Sequence, residues 1–193
     1  MNKNANEPST SSPPDGTRPA GPKGLEPRPG QVVCGDLDMR IDRDGVWYYH
    51  GSPIGRKELV RLFSTVLRRD EAGDYWLVTP AEIGRVEVED APFLAVELTV
   101  AGEGAERVIS LRTNVDRIVA VDDDHPIRVD FDPSTGEPRP YVVMDGGVEA
   151  RIARPVYYEL VALGAEVESG GETVFGVESA GAFFALGKLD GGP

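Results

Sequence analysis

The residues best equipped for chemistry cluster at the starts of two stretches that read as helices. Gly51-Ser52-Pro53-Ile54-Gly55-Arg56-Lys57 places flexible backbone and two cations at the first. Free peptide N–H groups and the helix dipole attract anions there, and an arginine grips phosphate through two parallel hydrogen bonds. Cations at that end also oppose the dipole, a modest cost that a bound anion relieves. Arg151 and Arg154 bracket the second helix start in the same way, and Trp47, Tyr49 and Tyr157 offer a stacking surface. The alternative is that these arginines pair with the chain's carboxylates, which number 33 against 20 Lys and Arg.

Other chemistry is weaker. His50 and His125 are the only histidines, with Asp44 before the first and Asp122-Asp123-Asp124 before the second, so a base beside a carboxylate is conceivable. Their separation matches no metal-ligand spacing, and the Asp run reads as a solvated turn. Gly176-Val177-Glu178-Ser179-Ala180-Gly181 superficially resembles a nucleophile elbow. The elbow needs glycine two residues before the serine, where Val177 stands, and a helix after it, where Phe183-Phe184-Ala185-Leu186 reads as a strand. No phosphate-binding glycine loop opens a helix after a buried strand. Cys34 is the single cysteine, which excludes an intrachain disulfide and a cysteine-built zinc site.

The elements that must position these residues follow from periodicity. Leu37, Met39 and Ile41 alternate with Asp36, Asp38, Arg40 and Asp42, the signature of a half-buried strand. Asp42-Arg43-Asp44-Gly45 is a turn, and Val46 to Tyr49 returns as its hairpin partner. Ser52 or Gly55 sits near the N-cap of a helix whose apolar stripe is Leu59, Val60, Leu62, Phe63, Val66 and Leu67. Arg68-Arg69 at its C-terminal end suit the dipole. Residues 75–79 form the next strand, giving a ββαβ unit. Short strands then follow over 85–89, 93–100, 106–112, 117–121 and 127–131. Their turn signals predict a curved, mainly antiparallel sheet or small barrel.

The first pattern then returns, displaced by 101 residues. Strands over 141–144 and 148–152 flank Asp145-Gly146-Gly147, Pro155 opens a helix near 155–163, and two strands surround Ser179-Ala180-Gly181. Between residues 39–66 and 140–167 the identities are Asp44, Gly45, Glu58, Leu59, Val60, Leu62 and Val66. They fall in the turn and on the helix face, as a shared scaffold requires. The helix entrances differ: Pro53-Ile54-Gly55-Arg56 stands where the second copy has Arg154-Pro155-Val156-Tyr157.

Composition bounds the rest. The first 30 residues hold seven of the 16 prolines, and their only apolar side chains larger than Ala are Met1 and Leu25. They are read as a disordered tail, neither secretory signal nor organelle leader. Residues 31–80 are read as an N-terminal ββαβ subdomain and 81–190 as a β-rich C-terminal one. No run of 18 apolar residues exists. The net charge of −13 argues against nucleic-acid and anionic-membrane partners and leaves room for a small basic pocket. A cytoplasmic location is the default.

Several segments together resemble a known family: Asp36-Leu37-Asp38-Met39-Arg40-Ile41; Gly45-Val46-Trp47-Tyr48-Tyr49-His50-Gly51-Ser52-Pro53-Ile54-Gly55-Arg56; Leu77-Val78-Thr79-Pro80 with Glu82; Val88-Glu89-Asp90-Ala91-Pro92-Phe93; Thr113-Asn114; His125-Pro126-Ile127-Arg128-Val129; Thr135-Gly136-Glu137-Pro138-Arg139-Pro140-Tyr141; and Arg154-Pro155-Val156-Tyr157-Tyr158-Glu159-Leu160. Over about residues 33–187 the chain is similar to the bacterial family catalogued as domain of unknown function 1285. The resemblance implies an internal duplication and a C-terminal part loosely similar to pleckstrin-homology-like barrels. It also implies a ligand site between the two parts, for a nucleotide-like molecule in signalling, and it carries no activity. His50, Ser52, Arg56, Glu82, Asn114, His125, Arg128, Arg139 and Arg154 are motif members without assigned roles.

The expectation is therefore an α+β, non-catalytic module holding a small-molecule anion between its repeats, without metal or cofactor. Its expected site residues are Trp47, His50, Ser52, Arg56, Glu82, Asn114, Arg154 and Tyr157, with Arg56 and Arg154 on the anion and Trp47 and Tyr157 stacking. Two alternatives stand beside it: a protein-interaction scaffold, and a hydrolase using a His/carboxylate pair.

Overall fold

The structure is a computed structural model that describes residues 21–169 and 171–188. Most of the expected tail lies outside these residues. Its described end is engaged earlier than residue 31, because the Lys23 N–H donates to Asp70 Oδ2 at 3.0 Å.

The alternating segment becomes β1 (Val32–Ile41), and the Asp-Gly turn leads to β2 (Trp47–Tyr49) and a short β3 (Ser52–Pro53). Asp42 Oδ1 accepts from the N–H groups of Asp44 and Val46, both at 2.9 Å, and Gly45 takes φ +72°, which only glycine adopts cheaply. Helix α1 (Lys57–Val66) follows, then a meander of β4 (Leu67–Arg69), β5 (Tyr75–Val78) and β6 (Glu82–Val88). The first sheet has the order β3-β2-β1-β6-β5-β4, with β1 and β6 parallel. Because β6 belongs to this sheet, the first half runs to Val88, past the boundary expected at residue 80. Arg68 and Arg69 lie in β4 rather than at a helix end, since Leu67 is already extended and fully buried.

The second half contains β7 (Phe93–Ala101), β8 (Val108–Thr113), β9 (Ile118–Ala120), β10 (Ile127–Phe131), β11 (Pro138–Val143), β12 (Glu149–Ile152) and α2 (Arg154–Ala162). A second meander closes the chain: β13 (Ala165–Ser169), β14 (Glu172–Ser179) and β15 (Ala182–Lys188). In place of one curved antiparallel sheet there are two. The larger is a mixed sheet of order β10-β11-β12-β7-β8-β9 with β12 parallel to β7, and the smaller is the antiparallel β13-β14-β15. Ser179, fully buried, joins them: its Oγ accepts from Ile109 N–H at 2.9 Å and donates to Val121 O at 2.6 Å. A hydroxyl committed in both directions is a clamp, not a nucleophile.

The duplication is visible in the element order, since β1-β2-α1-β4-β5-β6 recurs as β11-β12-α2-β13-β14-β15, the two-residue β3 being peculiar to the first copy. The helices differ in how they sit. In α2, Val156 and Leu160 are buried, whereas in α1 only Ser64 is, and Leu59, Val60, Phe63 and Val66 are half-buried. Leu62, expected on the apolar face, is 61% exposed. Helix α1 stands off its sheet. The buried apolar residues of both halves form one contiguous core. Among the described residues no helix is long and apolar enough to cross a membrane.

Candidate functional site

The gap beneath α1 is a groove of about 590 Å³. Its sheet side is built by Leu37 and Met39 of β1, Leu77 of β5 and Gly84 of β6. Ile54, Leu59 and Phe63 supply the helix side. Polar groups are confined to Tyr49, Ser52, Arg56, Thr79 and Glu82. Gly84 has a specific reason to be glycine: an added Cβ would lie 2.3 Å from the Leu37 side chain, which crosses β6 at that point. Thr79 and Glu82 are fixed by their own turn, with Glu82 N–H donating to Thr79 Oγ1 at 2.9 Å.

Arg56 occupies the N-cap position of α1 with extended backbone and gives no side-chain cap. Gly55 directly precedes this N-cap, as expected, whereas Ser52 lies in β3, four residues before it. Among the described residues, Arg28 and Arg56 are the two arginines whose guanidinium makes no hydrogen bond or ion pair. The groove therefore joins a largely apolar interior to one unspent cation.

Three of the eight expected site residues, Ser52, Arg56 and Glu82, meet in this groove. The others are elsewhere. Trp47 is 2% exposed and stacks on Phe63 with ring centroids 6.3 Å apart, so it is core rather than a stacking platform. His50 is an exposed turn residue at φ +47°, with Nδ1 against Asp38 Oδ2 and its ring tilted on Tyr49. Asn114 joins the halves, accepting from Leu94 N–H at 3.1 Å and donating to Gly45 O at 3.2 Å. Arg154 and Tyr157 line a separate cavity, where Arg154 pairs with Glu137 at 3.3 Å and the Tyr157 hydroxyl donates to Leu186 O at 3.3 Å. Burial pushes the Tyr157 phenol up. Arg56 and Arg154 thus do not share one site.

The other motif members are structural pairs. Arg128 forks onto Glu149 at 2.6 and 2.9 Å, and its own acidity falls further because Glu149 and Asp130 hold its proton. It also covers the Tyr141 ring at 4.2 Å. The Tyr141 hydroxyl donates to Asp90 at 2.8 Å, and burial with that carboxylate pushes its pKa up to about 12. His125 lies between Asp122 and Asp145. Neither histidine lines the groove or the Arg154 cavity. A further cavity of about 620 Å³ is dominated by Asp36, Asp38, Asp74 and Glu87, and its Arg85 is spent on Asp36 at 2.6 and 3.1 Å.

Sequence reasoning missed the apolar side of the groove. Leu37, Leu59 and Phe63 read simply as core positions, and the stand-off of α1 that exposes them is set by long-range packing. Nor does anything in the sequence mark the acceptor Asp70, buried in the loop after β4. It receives N–H groups from Lys23, Ala72, Asp74 and the Trp76 indole, and burial that would raise its pKa is outweighed by these bonds, which lower it.

Fold and groove together define a sheet-rich, tandemly repeated protein with a ligand-sized groove in its first half. Residues 29–91 match the model "Domain of unknown function (DUF1285), N-terminal domain", and residues 92–186 match "Protein of unknown function (DUF1285), C-terminal domain". The chain belongs to the DUF1285 family. The junction between the two matches, at residues 91 and 92, falls just after the last strand of the first sheet. A DUF1285 family protein from Silicibacter pomeroyi DSS-3 has a similar crystal structure, with TM-score 0.75 and 43% identity over 88% of this chain and 92% of that one. Another from Shewanella baltica OS155 matches with TM-score 0.53 and 25% identity over 66% of this chain and 91% of that one. No curated protein matches this chain.

Proposed function

We propose that this protein is a non-catalytic binding module for a small amphipathic anion. An acyl or aryl body fills the groove under α1, and an oxyanion meets Arg56. The observation that supports this is the unpartnered Arg56 guanidinium on a largely apolar groove. Leaving a guanidinium unpaired in a chain with 33 carboxylates is notable, and a bound oxyanion satisfies it with a charge-assisted hydrogen bond. The first turn of α1, uncapped by any side chain, adds peptide donors at the same end. The apolar walls favour an acyl or aryl group over a nucleotide base, and we place the ligand within the first half rather than between the halves.

We read the module as a cytoplasmic sensor in signalling. On this view the second half, with its sheets joined at Ser179, serves as a pleckstrin-homology-like barrel that supports the first.

The test uses 1-anilinonaphthalene-8-sulfonate, an aryl anion, and decanoate beside decanol. Saturable sulfonate fluorescence displaced by decanoate is expected, with Arg56→Gln weakening decanoate about tenfold, the value of one charge-assisted bond, and leaving decanol unchanged. Equal binding of decanoate and decanol to the unmodified chain would remove Arg56 from the site. Absence of any saturable binding would remove the site itself.

A further inference from the structure

The second repeat carries its own cavity in the equivalent place. Displaced by 101 residues, Leu37 and Met39 fall on Pro138 and Pro140, Pro53 on Arg154, and Arg56 on Tyr157. The first four line the groove under α1, and the second four line a cavity of about 440 Å³ at the start of α2. Position has been kept and chemistry has changed. Arg139 of β11, Arg151 of β12 and Arg154 of α2 stand on this cavity with Tyr157 and Tyr158.

Three guanidiniums on one cavity repel one another, and each is held by a carboxylate of different strength. Arg139 pairs with Asp132, whose carboxyl is held well below its usual range by the Ser134 hydroxyl and the N–H groups of Ser134 and Thr135, with Arg139 adding to them. Arg151 is anchored by Asp90 at 3.2 Å and by donating to Arg43 O at 2.5 Å, although its buried Nε lacks an aligned hydrogen bond. Arg154 has only Glu137, at 3.3 Å, with side chains 67% and 61% exposed. A long, exposed pair of this kind contributes little and yields readily to a stronger anion. Glu137 is thus the weakest of the three counter-charges, placed where a ligand oxyanion would stand. The first turn of α2 has no side-chain cap, since Ala153 precedes it.

We propose that this cavity binds a soluble aryl phosphomonoester: the dianion displaces Glu137 and is gripped by Arg154, with a further N–H from Arg139, which keeps Asp132 on its other nitrogen, and its ring packs against Tyr157 and Tyr158. Two arginines match the geometry of phosphate oxygens, and tyrosine faces suit an aromatic ring. The proposal is independent of the groove under α1, which lies in the other repeat.

Calorimetry of the full chain with phenyl phosphate tests it, with inorganic phosphate and phenol as partial ligands. Saturable one-to-one binding is expected for phenyl phosphate, at least tenfold tighter than for either fragment. Arg154→Gln should weaken it at least tenfold, and Glu137→Gln should tighten it several-fold, a gain that a misfolded variant cannot produce. Saturating decanoate should leave the affinity unchanged. Absence of saturable binding, an unaltered affinity in Arg154→Gln, or a loss in Glu137→Gln overturns the proposal. Inorganic phosphate binding as tightly as the aryl ester overturns the role of the tyrosines. Co-sedimentation with phosphatidate vesicles would assign the phosphate to a lipid and overturn the soluble ligand.

Discussion

His125 has a carboxylate at each ring nitrogen, Asp122 at 3.0 Å from Nδ1 and Asp145 at 3.3 Å from Nε2. A neutral imidazole has one N–H and can donate to one of them, whereas the imidazolium donates to both. Burial works against the charge, but the two carboxylates together outweigh it and hold the pKa above its ordinary value of 6.5. A raised folded-state pKa gives stability that is complete below the unfolded value and lost as pH rises through the folded one. Urea midpoints measured between about pH 5.5 and pH 8.5 should therefore fall with rising pH more steeply in the unmodified protein than in His125→Gln, which cannot titrate. Parallel pH profiles would show that the histidine does not feel both carboxylates. The same residue scale separates the arginines: in a chain this acidic most are paired, whereas Arg56 is not and Arg154 has only a long, exposed pair with Glu137.

Helix α1 and helix α2 occupy corresponding places in the repeat, yet α2 is seated by Val156 and Leu160 while α1 leaves a groove beneath its apolar face. Gly84 maintains that groove by letting Leu37 lie flat across β6. Gly84→Ala should drive Leu37 into the groove, costing about 1–3 kcal/mol in urea unfolding and weakening decanoate severalfold. Retained decanoate affinity with lowered stability would place the ligand elsewhere. Local elements were legible because their signals are local. The alternation of Leu37, Met39 and Ile41 marked β1, both Asp-Gly turns marked their hairpins, and Pro155 with Gly164 bracketed α2. The parallel pairs β1–β6 and β12–β7 were not, because register between strands far apart in the chain leaves no mark on local periodicity. Three-residue β4 was hidden behind Arg68-Arg69, a good helix ending by composition. Trp47 was legible as a strand residue but not as core, since an indole in a hairpin serves either role until Phe63 is seen to cover it.

At the scale of the whole molecule, each repeat's Asp-Gly turn is held by the other half. Gly45 O accepts from Asn114 Nδ2 at 3.2 Å, and Arg43 O accepts from Arg151, so the first turn rests on the second half. Gly146 O accepts from the Arg69 N–H at 3.0 Å, and Arg69 pairs with Glu149 at 3.4 Å, so the second turn rests on the first half. Reciprocal docking around one contiguous core predicts that neither half unfolds alone. The two tryptophans make this measurable, because Trp47 and Trp76 are both buried in the first half. Their fluorescence reports that half, while far-UV circular dichroism reports both. In the unmodified protein the two urea transitions should coincide. Asn114→Ala strips the partners from Leu94 N–H and Gly45 O, and Arg69→Ala removes the bridge to Glu149. Together they should cost about 1.5–4.5 kcal/mol, counting about 0.5–1.5 for each of the three partly exposed polar connections lost, and pull the fluorescence and dichroism midpoints apart. Midpoints already separate in the unmodified protein would mean that the clasped turns do not couple the halves. Midpoints still coincident in the double variant would assign the coupling to the shared apolar core instead.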